Sequence, residues 1–160
     1  MSLQVSKEET KPTSHFSLVS EVSTAGPNEA LRHFNSKLAF ETDPTDVLLD
    51  LHRGQDSFLL IDARDADSYA ACHIPGALSL PLRTINAQTT AHLSKDKVLV
   101  TYCWGPACNA STKAAAKLSR LGFHVKEMIG GIEYWRREGA AVEGALGEDA
   151  PLFPSILPKA

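Results

Sequence analysis

Residues 97–121, KVLVTYCWGPACNASTKAAAKLSRL, contain the pattern of a strand, a loop and a helix in immediate succession. The apolar run predicts a buried strand over residues 97–102, which ends at Cys103. Alanine and leucine recur at i, i+4 and i+7 (Ala114, Leu118, Leu121), which predicts a helix over residues 109–121. Gly122 follows as a residue favoured after a helix end.

Two further apolar runs flank this stretch. Residues 58–62 (FLLID) predict a second central strand, and residues 125–129 predict a third. Because helical patterns separate the strands, crossover connections and parallel pairing are expected. The sequence therefore predicts an α/β fold in three layers, with a mostly parallel central sheet and helices on both faces. Ligand sites in such sheets lie at the carboxyl ends of the strands, where Cys103 is expected.

The alternating pattern occupies the central part of the chain. Residues 1–26 are rich in Ser, Thr, Lys and Glu and are interpreted as a flexible arm. Residues 27–143 are predicted to be one domain, whose core over 44–143 follows an N-terminal helix. Residues 144–160 carry three Pro and two Gly and are expected to be an irregular tail.

Local signals add detail to this outline. An N-terminal helix is predicted over about residues 28–41, with one apolar face formed by Leu31, Phe34 and Leu38. Asp43 is placed to cap a following helix. Residues 83–93 are also predicted to be helical.

Composition excludes several classes of protein. The 160 residues, 43% of them hydrophobic, suit one globular domain. A net charge of -3 does not indicate the excess of basic residues that is typical of nucleic-acid-binding proteins. Three Cys, an odd number, argue against a fully paired secreted framework. The apolar runs are strand-sized, far short of the roughly 20 residues that span a bilayer, so no membrane association and a cytoplasmic location are expected.

Cys103 is the strongest candidate for a chemical role. It ends a buried strand, and a short loop with Gly and Pro then leads to a helix that begins near Asn109, a good capping residue. Backbone N–H groups of the loop Trp104-Gly105-Pro106-Ala107-Cys108-Asn109 and the helix N-terminus could converge on the sulfur or on a bound anion. Positive potential there lowers a thiol pKa and favours the nucleophilic thiolate.

Each cysteine also has a structural interpretation. Cys103 could be a small buried hydrophobe, although its context favours a nucleophile. Cys108 could resolve an oxidised Cys103 as a disulfide, but filling space beneath the loop is favoured. Cys72 is expected to be structural.

Three motifs in register resemble those of the rhodanese-like domain family. Leu60-Ile61-Asp62-Ala63-Arg64, with Tyr69 and His73-Ile74-Pro75-Gly76-Ala77, is similar to the first signature of that family. Cys103 stands at its active-site position, and residues 130–142 resemble its second signature. Together the motifs span about residues 44–143.

The resemblance implies sulfurtransferase chemistry without a metal or organic cofactor. Cys103 would attack thiosulfate or a persulfide donor, small or protein-borne, hold the sulfur as a persulfide, and pass it to a thiol or another thiophilic acceptor. Many members of the family place Arg five residues after the nucleophile, where this chain has Cys108. Since the loop lacks that cation, a persulfide donor is as well supported as thiosulfate.

Three further residues are assigned supporting positions at the site. Asp62 and Arg64 follow the first central strand, and an ion pair that ties loops together is favoured over a direct role at the pocket. His73 could be a general base, but its place before Ile-Pro-Gly favours a loop-anchoring role.

Rival functions remain open from the sequence. A thiol–disulfide redox protein using Cys103 and Cys108, and a non-catalytic sulfur-carrier or regulatory module, are the alternatives. A phosphatase of the Cys-x5-Arg kind is disfavoured because Asn109 stands at the Arg position. Cys72, His73, Cys103 and Cys108 lack a usual structural-zinc spacing, so no metal is expected.

Overall fold

A computed structural model describes residues 17–154 of the chain. The interpretation of residues 1–26 as an arm therefore lies largely outside the described residues, as does the end of the predicted tail. The chain separates into two units, one up to Phe34 and one from Asn35 onward. In the first unit, the side chains of Leu31 and Phe34 are exposed on the N-terminal helix.

Helices and strands alternate along the chain as predicted. The helices are α1 (Pro27–Phe40), α2 (Pro44–His52), α3 (Ala66–Ala71), α4 (Ala110–Arg120) and α5 (Gly131–Arg137), with 3-10 turns at Leu82–Thr84 and Gly147–Asp149. The strands are β1 (Glu41–Thr42), β2 (Phe58–Asp62), β3 (Leu78–Ser79), β4 (Val98–Tyr102) and β5 (Val125–Met128). None of the helices in residues 17–154 combines the length and apolar character of a membrane span.

The five strands form one sheet in the order β1-β5-β4-β2-β3, and every pair is parallel. β4 lies at the centre, where Asp62 at the end of β2 pairs with Tyr102 at the end of β4. Both strands therefore finish at the same edge of the sheet. This placement brings the segments that follow Asp62 and Tyr102 together.

Buried apolar clusters cover both faces of the sheet. Since successive side chains of a strand point to opposite faces, neighbouring residues of one strand belong to different clusters. Leu60 and Val100 belong to one buried cluster, which includes Trp135 of α5. Ile61 and Leu99 belong to the other, which includes Leu118 of α4. The predicted three-layer arrangement with helices on both faces is confirmed.

The prediction of helical structure over residues 83–93 is wrong. Only Leu82–Thr84 forms a 3-10 turn there. The Asn86 side chain accepts hydrogen bonds from the backbone N–H groups of Gln88 (2.9 Å) and Thr89 (3.0 Å), and the Thr89 hydroxyl donates to Thr84 O (2.8 Å). Side chains that bond to nearby backbone in this way compete with helix formation.

Strand β1 is the other departure from the predicted elements. It consists of Glu41 and Thr42, and it pairs with β5 at the edge of the sheet. A two-residue strand leaves no periodic pattern in the sequence. The predicted cap of α2 is confirmed, since the Asp43 carboxylate accepts from the Asp46 N–H at 2.8 Å.

Candidate active site

Cys103 lies immediately beyond β4, at the carboxyl edge of the sheet, as the sequence predicts. Its side chain is 2% exposed. The loop beyond it becomes more open, since Pro106, Ala107 and Asn109 are exposed and Cys108 is half-buried. The candidate nucleophile is thus at the base of the loop, and the loop surface faces solvent.

The start of α5 holds this loop in place. The Ile132 N–H donates to Cys103 O at 3.0 Å, and the Glu133 N–H donates to Trp104 O at 2.8 Å. Gly131 has a φ of 59°, and a Cβ there would lie 2.5 Å from Cys103 O and 2.9 Å from the Gly105 nitrogen. Only glycine permits so close an approach of the two backbones.

Cys103 and Cys108 are joined by a disulfide, with their Cα atoms 6.3 Å apart. The Cys108 N–H donates to Gly105 O at 3.0 Å, a turn that folds the loop back toward Cys103. The favoured interpretation of Cys108 as a space-filling residue is therefore wrong, since its sulfur is bonded to that of Cys103. The Cys108 N–H is engaged in this turn with Gly105 O. It is therefore not one of the N–H groups predicted to converge on the Cys103 sulfur.

Asn109 does not serve as the predicted cap of α4. The helix begins at Ala110, and no side chain caps it. Asn109 has φ -94° and ψ 15° instead of the extended backbone usual for a capping residue. The tight turn that brings Cys108 to Cys103 immediately precedes this position.

Asp62 and Arg64 form a buried ion pair at the neighbouring strand end. Arg64 Nη2 lies 2.6 Å from Asp62 Oδ2, and Arg64 Nε lies 3.0 Å from Asp62 Oδ1. Arg64 Nη2 also donates to Cys72 O at the end of α3. Burial lowers the pKa of Arg64, but the hydrogen bond and charge of Asp62 outweigh it, so the pKa lies above its usual value. The pair links β2 to α3, the role that the sequence favours.

The ion pair also reaches the loop through an aromatic contact. The Arg64 guanidinium carbon lies 4.7 Å from the centroid of the Trp104 ring, a cation–π distance. Trp104 is half-buried. The sequence analysis did not predict this contact, which joins the cation that follows β2 to the residue next to Cys103.

His73 anchors a turn and does not join the loop. Its Nδ1 lies 2.8 Å from Tyr69 O, and its ring stacks on that of Tyr69 at 3.9 Å between centroids. Its backbone pairs with that of Glu143. These contacts support the anchoring role over that of a general base.

Glu133 is a site residue that the sequence analysis missed. A Cβ added to Gly105 would overlap the Glu133 carboxylate, so that carboxylate lies directly against the loop. Arg137 Nη2 pairs with it at 2.9 Å. Glu133 lies 30 residues beyond Cys103, and only the docking of α5 brings it there.

Cys72 is set apart from the other two cysteines. It is 2% exposed within the core, and burial raises the pKa of its thiol. A thiol of that kind is inert. In residues 17–154, no three side chains among His, Cys, Asp and Glu are grouped to hold a metal ion.

Comparisons with known proteins cover the segment that contains this loop. The family model described as "Rhodanese-like domain" matches residues 43–138. The BH2092 protein of Bacillus halodurans, a crystal structure, is 56% identical, with a TM-score of 0.81, and the match covers 82% of this chain and 96% of that one.

Several curated relatives match parts of the chain, including the two that follow. Thiosulfate sulfurtransferase GlpE of Pseudomonas savastanoi is 39% identical over 79 residues, which cover 49% of this chain and 72% of GlpE. The HTH-type transcriptional regulator Rv0324 of Mycobacterium tuberculosis is 37% identical over 87 residues, which cover 54% of this chain but only 38% of the regulator. The family model alone matches more than half of the chain, and the chain belongs to the rhodanese-like domain family.

Proposed function

We propose that the protein is a sulfurtransferase in which Cys103 carries sulfur as a persulfide. The observation that supports this most strongly is the position of Cys103 beyond the central strand, in a loop that α5 holds by two backbone hydrogen bonds. This segment lies within the region that matches the family model. The similarity to a thiosulfate sulfurtransferase supports the same chemistry.

The reaction has two steps. After an external thiol has reduced the Cys103–Cys108 disulfide, the Cys103 thiolate attacks the outer sulfur of a donor, and the donor leaves as a thiolate, or as sulfite if the donor is thiosulfate. A thiol or another thiophilic acceptor then attacks the outer sulfur of the Cys103 persulfide and regenerates the thiolate. Covalent catalysis of this kind divides one transfer into two easier ones.

The charges around the loop favour a persulfide donor over thiosulfate. Cys108 stands where many family members place Arg, and Arg64 is already paired with Asp62. The Glu133 carboxylate lies against Gly105 and repels a dianion. A persulfide carries less negative charge than thiosulfate and so meets less of this repulsion.

Replacing Glu133 with Gln should improve the use of thiosulfate. We expect kcat/KM for thiosulfate to rise about two- to fivefold at low ionic strength, since Arg137 and solvent screen part of the charge. The gain should shrink as salt is added. Glu138→Gln, the same change at an exposed position of the same segment, is the matched control. If kcat/KM for thiosulfate is no higher in Glu133→Gln than in Glu138→Gln, the electrostatic explanation is wrong.

The disulfide favours a second candidate, thiol–disulfide exchange. The two functions differ in their dependence on Cys108. If the protein transfers sulfur, Cys108→Ser should still convert cyanide to thiocyanate with a persulfide donor, because Cys103 alone carries the sulfur. If disulfide exchange is the function, the variant should lose activity with a disulfide substrate and show no thiocyanate formation. Thiocyanate formation by Cys108→Ser, measured by absorbance, therefore tests the proposed function.

A further inference from the structure

We propose that Cys108 resolves the Cys103 persulfide, so that the site releases sulfide and ends as the Cys103–Cys108 disulfide. This inference rests on the proposed function, because it requires that Cys103 first accept a sulfur atom. It adds a product, hydrosulfide, and a second reactant, an external dithiol. The sulfane sulfur of the donor would thus be reduced to sulfide when no acceptor takes it from Cys103 first.

Geometry places Cys108 within reach of the inner sulfur of the persulfide. The Sγ atoms of Cys103 and Cys108 are bonded, and their Cα separation of 6.3 Å lies in the ordinary range for a disulfide. The turn between Gly105 O and the Cys108 N–H brings the two residues together. Because α5 fixes the backbone of Cys103 and Trp104, the loop is already arranged for this contact.

The step balances in atoms and electrons. The Cys108 thiolate donates an electron pair to Sγ of the Cys103 persulfide in its protonated form. A bond forms between the two Sγ atoms, and the bond from Cys103 Sγ to the outer sulfur breaks. The outer sulfur leaves with that electron pair and its proton as hydrosulfide. Two cysteines are oxidised to a disulfide, and one sulfane sulfur is reduced to sulfide.

Attack on the inner sulfur is favoured over attack on the outer one. Hydrosulfide is a weaker base than an alkyl thiolate and therefore a better leaving group. Attack on the outer sulfur would expel the Cys103 thiolate and leave the persulfide on Cys108, without release of sulfide. Cys103 Sγ is also the atom to which Cys108 is joined in the structure.

The two cysteines of the loop differ in their exposure to solvent. Cys103 is 2% exposed, whereas Cys108 is half-buried and lines a cavity of about 280 Å³ with Pro106, Ser111 and Gly130. Because Cys108 is the more exposed half of the disulfide, its sulfur is the expected point of attack for an external dithiol. Its attack there releases the Cys103 thiolate, the form needed to accept the next sulfur. A second attack within the dithiol completes the reduction of the protein.

A single-turnover experiment tests the inference. The reduced protein, freed of reductant, is loaded with cysteine persulfide, desalted at once, and followed by sulfide assay and intact mass. The wild type should release one sulfide per chain and finish two hydrogens lighter than the reduced protein. In Cys108→Ser, sulfide release should be at least about 100-fold slower, because an intramolecular attack is lost. That variant should keep the mass of one extra sulfur.

Cys72→Ala is the matched control, since Cys72 lies in the core, and it should behave like the wild type. The inference is overturned if the wild type keeps its extra sulfur as long as Cys108→Ser does, or if the sulfur maps to Cys108. In the first case the proposed function survives, because the protein has accepted sulfur. In the second it survives if Cys108→Ser still gains its sulfur on Cys103, and it fails if that variant gains none. If neither the wild type nor Cys108→Ser releases sulfide or gains sulfur, the proposed function fails together with the inference.

Discussion

Cys103→Ser is expected to abolish sulfur transfer to cyanide, with a fall in kcat/KM of at least about 1,000-fold, because a serine hydroxyl is a far weaker nucleophile than a thiolate. It also cannot hold sulfur as a persulfide. Steady-state formation of thiocyanate with a persulfide donor measures the loss.

The matched control for this prediction is Cys72→Ala, which changes the other deeply buried cysteine. It should keep transfer close to the wild-type rate. Urea unfolding under reducing conditions should show that Cys103→Ser is still folded, since the change replaces one atom and makes the side chain only slightly smaller. A Cys103→Ser variant that transfers sulfur at the wild-type rate would refute the role of Cys103.

Arg64→Met is expected to destabilise the protein by about 3–5 kcal/mol, because it leaves the Asp62 carboxylate buried without its partner. The two side chains are 1% and 0% exposed, so solvent provides little compensation. The melting temperature should fall by roughly 10–20 °C. Urea or thermal unfolding, followed by circular dichroism, measures the change.

Two variants separate the buried charge from a general loss of packing. Asp62→Asn/Arg64→Met removes both charges and should be less destabilised than Arg64→Met alone. Arg53→Met removes the guanidinium from an exposed pair with Asp50 and should cost less than about 1 kcal/mol. Equal costs for Arg64→Met and Arg53→Met would contradict the structural role of the buried pair.

The elements around the central strand could be predicted because their signals are local. The apolar runs of β2 and β4 and the apolar spacing of α4 each occupy one continuous segment. The cap at Asp43 is also a contact between near neighbours. The prediction of a helix over residues 83–93 is wrong because the Asn86 and Thr89 side chains form hydrogen bonds with nearby backbone groups. These hydrogen bonds compete with helix formation in a segment whose helical pattern is weak.

The site could be predicted only in part, for a different reason. The position of Cys103 follows from the end of β4, which the sequence shows. The contacts of Glu133 with Gly105 and of Arg64 with Trp104 join segments far apart in the chain. They depend on how α5 and β2 dock, which no local pattern encodes. The bond from Cys103 to Cys108 depends on a turn within the loop, and the residue types alone left that open.

The central claim is that Cys103 holds the transferred sulfur, and mass spectrometry tests it most directly. The reduced Cys108→Ser variant is incubated with cysteine persulfide, and its intact mass and peptide map are recorded. We predict a gain of one sulfur atom per chain, located on the peptide that contains Cys103. A gain located on Cys72, or no gain at all in the folded protein, would contradict the account.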